Sequence, residues 1–325
     1  MNYVTYQQKD CFTGCIVNAL RAFGIDVSEA DVLLYGGGFR IRYRTIATQD
    51  NSKYLIYGEL REACLAFLEK VGLRFEFEEL GTLEKGMEKY RSAKSEGANV
   101  MFSVCADCIG YDPIFRQASD SFHCLNILDI DEDKGEAIVS DGYIPTTPVR
   151  KYEGIMPLDN LFTGYEKTKC TTLVIYPPNR PIKFRQDNEN ESICSVLKQY
   201  LASECDGEYY TGCEAIIRLC NDLNRIKDWE REPFCAKLMD FNTVYKTWGF
   251  IGVKRILAEL CRERESLASY YEEMDEIAEK WNGLSRYIVK IALSYRPTMI
   301  DQFKEKAVGL ISQEKELYKK MIAEL

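Results

Sequence analysis

Residues 123–142 read HCLNILDIDEDKGEAIVSDG. His123 to Ile130 alternates as a half-buried strand does, Asp131-Glu132-Asp133-Lys134-Gly135 is a polar turn ending in glycine, and Glu136 to Ser140 is a second β-rich run. Two strands joined this tightly form an antiparallel hairpin, which lays the start of the first beside the end of the second. His123 therefore comes next to Asp141 without any long-range assumption. Further strands are predicted at Leu73–Phe77, Val100–Cys105 and Thr171–Tyr176.

Upstream the pattern is helical. In residues 11–23, CFTGCIVNALRAF, the apolar positions Cys15, Ile16, Ala19, Leu20 and Phe23 share one face, and Gly24 stops the helix. Ser28 caps a short second helix, and Tyr35-Gly36-Gly37-Gly38-Phe39 reads as a loop. Residues 57–71 form an amphipathic helix closed by Gly72, and residues 82–95 a charged surface helix. Helices first and a mostly antiparallel sheet later give an α+β order, not the regular alternation of a doubly wound fold.

Pro177-Pro178-Asn179-Arg180-Pro181 ends this pattern, which places a domain boundary between residues 1–180 and 181–325. Beyond it the chain reads as helix throughout, over 191–204, 208–226, 232–247, 250–280, 284–295 and 300–323. The breaks fall at Gly207, Pro233, Gly249, Gly283 and Pro297, and no fixed period repeats, so an all-α helical bundle is expected.

Composition limits the function. With 325 residues, 46% of them hydrophobic, the chain can bury a core without disulfide or metal staples. No apolar run reaches the length of a transmembrane helix, and the N-terminus shows no secretory pattern, so no membrane partner is expected. A net charge of -9 argues against nucleic acid. The 13 cysteines are read as reduced thiols of a cytoplasmic protein. A single histidine, His123, excludes a His-rich zinc site and a two-His iron site, and the lone Cys105/Cys108 pair is a weak metal signal, so no metal is expected.

One constellation stands out. Cys11 lies in the first turn of a helix, where backbone N–H groups and the helix dipole stabilise a thiolate, so a lowered thiol pKa and a nucleophilic role are expected. The alternative for Cys11 is a buried small hydrophobe. His123 is the only imidazole available as a base, and Asp141 stands where a carboxylate would fix its tautomer, or else serves as a turn residue before Gly142.

The order of helix-start Cys, strand His and strand-end Asp resembles the papain-like superfamily, in particular its C39-peptidase-like branch. It is more similar still to the family typified by the N-terminal domain of butirosin biosynthesis protein H. That family's pattern of a Cys opening a helix, a Gly thirteen residues on, a Ser-Glu helix start and a Gly-rich loop ending in aromatics is matched by Asp10-Cys11, Gly24, Ser28-Glu29, Gly36-Gly37-Gly38-Phe39 and Tyr43. The register selects Cys11 over Cys15, and the family's second block matches His123 and Asp141. The resemblance covers residues 3–178 and implies a papain-like cysteine-peptidase fold.

It also implies an acyltransferase of nonribosomal-peptide-type antibiotic biosynthesis. A Cys-His-Asp triad would take an acyl, aminoacyl or peptidyl group from a carrier-protein thioester and pass it to a small amine, forming an amide. No cofactor is bound on this reading; the donor arrives on the phosphopantetheine of the carrier protein. C39-type peptidases place an oxyanion Gln six residues before the Cys, where this chain has Thr5, so Gln7 or Gln8 is the candidate oxyanion donor. Arg40, Arg42 and Arg44 alternate beside Tyr43 and could hold the pantetheine phosphate or an acidic carrier-protein helix, or could simply be outward charges on a solvated strand edge. Two alternatives stand: a cysteine protease or thioesterase hydrolysing the same acyl-enzyme, and an inactive papain-like module that binds a carrier protein.

Overall fold

A computed structural model of the chain describes residues 3–47, 52–117, 121–146, 148–185, 189–207, 209–247 and 249–325. Its first elements are α1 (Cys11–Ala22), α2 (Glu29–Gly36), β1 (Ile41–Ala47), β2 (Ser52–Gly58), α3 (Leu60–Lys70), β3 (Phe75–Glu79), α4 (Leu83–Ser95) and β4 (Asn99–Cys105). The hairpin strands β5 (Phe122–Asp131) and β6 (Glu136–Ile144) follow, then β7 (Arg150–Pro157), α5 (Leu158–Lys167) and β8 (Thr171–Ile175). The remainder comprises α6 (Glu189–Ala202), β9 (Cys205–Asp206), β10 (Tyr209–Thr211), α7 (Gly212–Leu223), α8 (Arg231–Thr247), α9 (Phe250–Glu263), α10 (Tyr271–Ser294) and α11 (Met299–Glu324). The α+β order read from the sequence is the order found.

Two compact units result. The first joins Met1–Val32 to Ala63–Phe184, and the second joins Leu33–Glu62 to Arg185–Leu325. The chain passes from one to the other close to the proline-rich break, but residues 33–62, read as part of an N-terminal domain, cluster with the C-terminal helices. Packing explains this. β1 pairs with β10 as well as β2, Tyr43 donates its hydroxyl to the buried Asp222 at 2.9 Å, and a Cβ on Gly58 would lie 2.4 Å from a Val253 methyl.

In the first unit the strands run β3-β8-β4-β5-β6-β7, every neighbour antiparallel. The core side of this sheet carries Val100, Phe102, Leu125, Ile127 and Val139, with Tyr165 of α5 stacked on Phe102 at 3.9 Å between ring centroids. α1 lies against β5 and β6, buried from Thr13 to Leu20. The Asn126 amide donates to the Cys15 carbonyl at 2.9 Å, and the Cys15 thiol donates to the Cys124 carbonyl at 3.2 Å. β7 and α5 were not predicted, because residues 150–157 open on two adjacent charges and hold a glycine, and residues 158–167 make only a short helix.

The hairpin contains a bulge. Ile127 pairs with Val139 but Asp129 pairs with Ile138, so Leu128 has no partner in β6. Were Leu128 paired with Val139 in regular register, Asp141 would pair with Asn126 and face away from His123. With it, Ser140 pairs with Asn126, and the continued register sets Asp141 opposite Leu125, on the side of the sheet that His123 shares. The Leu128 carbonyl accepts the Lys94 ammonium at 2.8 Å, which satisfies a group the ladder leaves open.

The second unit has a small sheet ordered β2-β1-β10-β9 and the helices α6 to α11. Three expectations change here. The segment from residue 208 opens as a strand, so the C-terminal half is not helix throughout. The long helical stretch breaks at Arg264, with extended φ -111° and ψ 120°, and runs unbroken through Gly283, whose Cβ position is open to a normal helix. α2 extends through Gly36, so the glycine-rich loop begins two residues later than read. Deep in this unit Lys254 and Glu314 form an ion pair at 2.6 Å, both almost fully buried, and the Trp281 indole donates to Glu314 at 2.9 Å. No helix among the described residues is long and apolar enough to cross a membrane.

Candidate active site

The site begins at a helix cap. Asp10 has extended backbone, and its carboxylate accepts the N–H groups of Phe12 at 2.9 Å and Thr13 at 3.1 Å. Cys11 is thereby fixed as the first residue of α1. The cap is held in turn by Glu29, a buried carboxylate from the start of α2. It accepts the N–H of Lys9 at 2.7 Å, the N–H of Asp10 at 3.2 Å and the Thr13 hydroxyl. Burial pushes Glu29 up to about 8, against these bonds, which pull it down. Among the described residues the Cys11 N–H makes no backbone hydrogen bond outside the helix.

β5 and β6 supply the other two groups. His123 Nε2 lies 2.9 Å from Asp141 Oδ2, and both side chains are buried. With Nε2 turned to Asp141, Nδ1 is the nitrogen left for Cys11, whose charge acts on the ring. The Phe115 ring lies 4.8 Å from the imidazole, centroid to centroid. Asp141 Oδ1 accepts the Tyr143 N–H at 2.9 Å, and Oδ2 also accepts the Tyr111 hydroxyl at 2.6 Å. Gly142 is required by a close approach and not by a turn. The segment before α1 crosses it, Gln8 N–H donates to its carbonyl at 2.8 Å, and a Cβ there would lie 2.9 Å from the Asn18 amide.

Electrostatics couple these groups. Burial alone would lower the His123 pKa, but the charges of Asp141 and Cys11 outweigh it and push it up to about 10. The Cys11 thiol is also held well above its ordinary range. Its contact with the Cys124 thiol is the first cause, then burial and the Asp10 charge; His123 alone pulls the other way. This corrects the expectation of a thiol lowered by the helix start. The Cys124 contact, burial and the Asp10 charge outweigh the lowering expected from the helix start.

The sequence-derived donors separate. Gln7 is exposed, whereas Gln8 is buried and gives its amide to the Asn18 side chain at 3.3 Å. Thr5, at the position of the peptidase Gln, is tied to β6 and β7 through Ser140 Oγ at 2.7 Å and Glu153 Oε2 at 2.5 Å. Arg40, Arg42 and Arg44 belong to the second unit. There Arg42 pairs with Glu59 at 2.6 Å, Arg40 approaches the same carboxylate at 3.8 Å, and the Arg44 guanidinium stacks over Tyr209 at 5.1 Å. Glu29 and Tyr111 had not been singled out as site residues. Glu29 carried only a helix-start signal, and Tyr111 lies in an irregular segment with no pattern to mark it.

The family model described as butirosin biosynthesis protein H, N-terminal, matches residues 10–142. Over that stretch the chain is similar to the family. The stretch opens on the residue that caps Cys11 and closes on the residue after Asp141, so the three groups drawn together here lie inside it. The resemblance carried by the cysteine, glycine and serine-glutamate positions is thus borne out, and the butirosin biosynthesis protein H N-terminal region accounts for less than half of the chain. No curated protein matches the sequence.

Proposed function

We propose that the chain is an acyltransferase that forms an amide by way of an acyl-enzyme on Cys11. The observation that supports this reading is the chain's only imidazole, bonded to a buried carboxylate and under the electrostatic influence of a helix-start thiol. His123 takes the thiol proton, and the Cys11 sulfur attacks the thioester carbonyl carbon of a donor on carrier-protein phosphopantetheine. The Cys11 N–H, with exposed Gln7 as a second candidate, receives the oxyanion. The donor's carbon–sulfur bond breaks, and the pantetheine sulfur leaves with the proton from His123. An amine then attacks the acyl-enzyme, its proton passes through His123 to the Cys11 sulfur, and amide and free thiol separate. Asp141 holds the imidazole in the required tautomer throughout.

With its pKa pushed up to about 10, His123 serves as the base from the fraction of protein in which the ring is neutral, and that fraction grows as pH rises. Exchange between thioesters is near balance and amide formation runs downhill, so the cycle needs neither ATP nor a metal. Arg40, Arg42 and Arg44 are the proposed contact for the pantetheine phosphate or an acidic carrier surface.

Intact-mass measurement with an acyl thioester, followed by an amine, tests the reading. The wild-type protein is expected to gain one acyl mass and lose it to the amine as amide. Cys11→Ala is expected to stay folded and gain none; full amide formation by that variant defeats the proposal. Release of free acid despite added amine would favour the hydrolase. A folded wild-type protein that never acylates would favour the binding module.

A further inference from the structure

Asp141 is shared. Its Oδ2 accepts His123 Nε2 at 2.9 Å and the Tyr111 hydroxyl at 2.6 Å, and its Oδ1 accepts the Tyr143 N–H at 2.9 Å. The carboxylate has no exposed surface, so these donors stand in for water. Tyr111 is held in place by its ring. It stacks on Tyr152 at 4.1 Å with 6° between the planes, and meets Phe115 edge-on at 5.8 Å. Phe115 is the ring that lies against His123. Tyr152 is anchored through its own hydroxyl, which donates to the Ile155 carbonyl at 2.8 Å. Burial, then the Asp141 charge, keeps the Tyr111 proton on its oxygen, so the hydroxyl acts toward Asp141 only as a donor.

We propose that Tyr111 is a positioning residue for the His123 base: its hydroxyl shares one oxygen of Asp141 with the imidazole, fixes the carboxylate plane and limits how tightly Asp141 holds the imidazolium. Two donors on one oxygen divide its charge. A donor that stabilises the carboxylate on its own account leaves less of that charge for the ring. Without it, Asp141 bonds the imidazolium more strongly, and His123 keeps its proton to higher pH. The inference rests on the reading of His123 as the base, but it is tested without amide formation.

The chain's single histidine makes the test direct, since its ring signals are the only imidazole resonances in a nuclear magnetic resonance titration. Tyr111→Phe removes the hydroxyl and keeps the stacking ring. The His123 midpoint is expected to rise by about half to one pH unit, the scale set by one bond to a charged group. In an Asp141→Asn background the same change is expected to leave the midpoint where it was. A folded Tyr111→Phe protein with an unmoved or lowered midpoint overturns the proposal, as does an equal shift in the Asn background. If Tyr111→Phe does not fold, the native protein decides. A slowly exchanging Tyr111 hydroxyl proton that disappears in Asp141→Asn supports the shared bond, and its persistence there overturns it. Failure of amide formation with the expected midpoint shift would count against the reaction and leave Tyr111 in place.

Discussion

At Cys11 the influences on the thiol oppose one another. His123 favours the thiolate, while Cys124, burial and Asp10 favour the thiol. Cys124→Ala removes the largest of the opposing influences. Peptide-mapped alkylation of Cys11 at pH 7.5 is expected to quicken roughly three- to tenfold, since one pKa unit is a tenfold change in thiolate fraction. An unchanged or slower rate would show that Cys124 does not restrain the nucleophile. The wild-type rate is expected to climb steadily from neutral to alkaline pH, because both partners are raised. Stability moves in the opposite sense. A histidine raised from 6.5 to about 10 contributes fully below pH 6.5, and that contribution fades as pH climbs through about 10. The nearness of His123 to Asp141 was legible in the hairpin order, whereas Cys11 was singled out over Cys15 only by the register of the family resemblance. The direction of the Cys11 shift was not legible, because it depends on a sulfur 113 residues away that only β5 brings near.

At the scale of elements, the hairpin carried more than its pattern disclosed. Alternation and a turn sufficed to read β5 and β6 and to bring His123 near Asp141. The side of the sheet was not readable, since one unpaired residue inverts it, and Leu128 looks like any other apolar strand residue. Ile127 and Ile130 both lean toward the core although they are three residues apart, which a regular strand does not permit. The bulge reconciles them. Deleting Leu128 therefore makes the strand regular while preserving the pairing of Ile127 with Val139 and of Asn126 with Ser140. The deletion variant is expected to keep His123 bonded to Asp141, with its titration midpoint near that of the wild type. It is expected to lose about 1 kcal/mol of stability as Lys94 gives up its carbonyl acceptor. A midpoint falling to the ordinary histidine range would show that the bulge, and not the pairing beyond it, holds Asp141 on the His123 side. Glu29 illustrates the same limit. A Ser-Glu pair announces a helix start, but its grip on the N–H groups of Lys9 and Asp10 needs α2 folded beside α1.

For the molecule as a whole, the route of residues 33–62 was not readable in the sequence. The hairpin of β1 and β2 has the composition of the unit around it, and nothing local assigns it to helices more than 150 residues later. Its partners decide. Ile41, Tyr43 and Ile56 are fully buried, β1 is paired along its outer edge by β10, and the Tyr43 hydroxyl is given to Asp222 of α7. A chain cut after Phe184 keeps the hairpin and loses all of these. It is expected to expose that apolar face and an unpaired strand edge, and so to bind hydrophobic dye and associate at micromolar concentration. Replacing residues 33–62 of the truncated chain with a flexible glycine-serine linker removes the orphaned surface and leaves the first unit's own core, Val100 to Val139 and Tyr165, untouched. That second chain is expected to stay monomeric and to keep the raised His123 midpoint, because Cys11, His123, Asp141, Tyr111 and Glu29 all lie within the first unit. Sedimentation and the histidine titration check both chains. A well-behaved monomer from the simple truncation would show that the hairpin does not depend on its C-terminal partners.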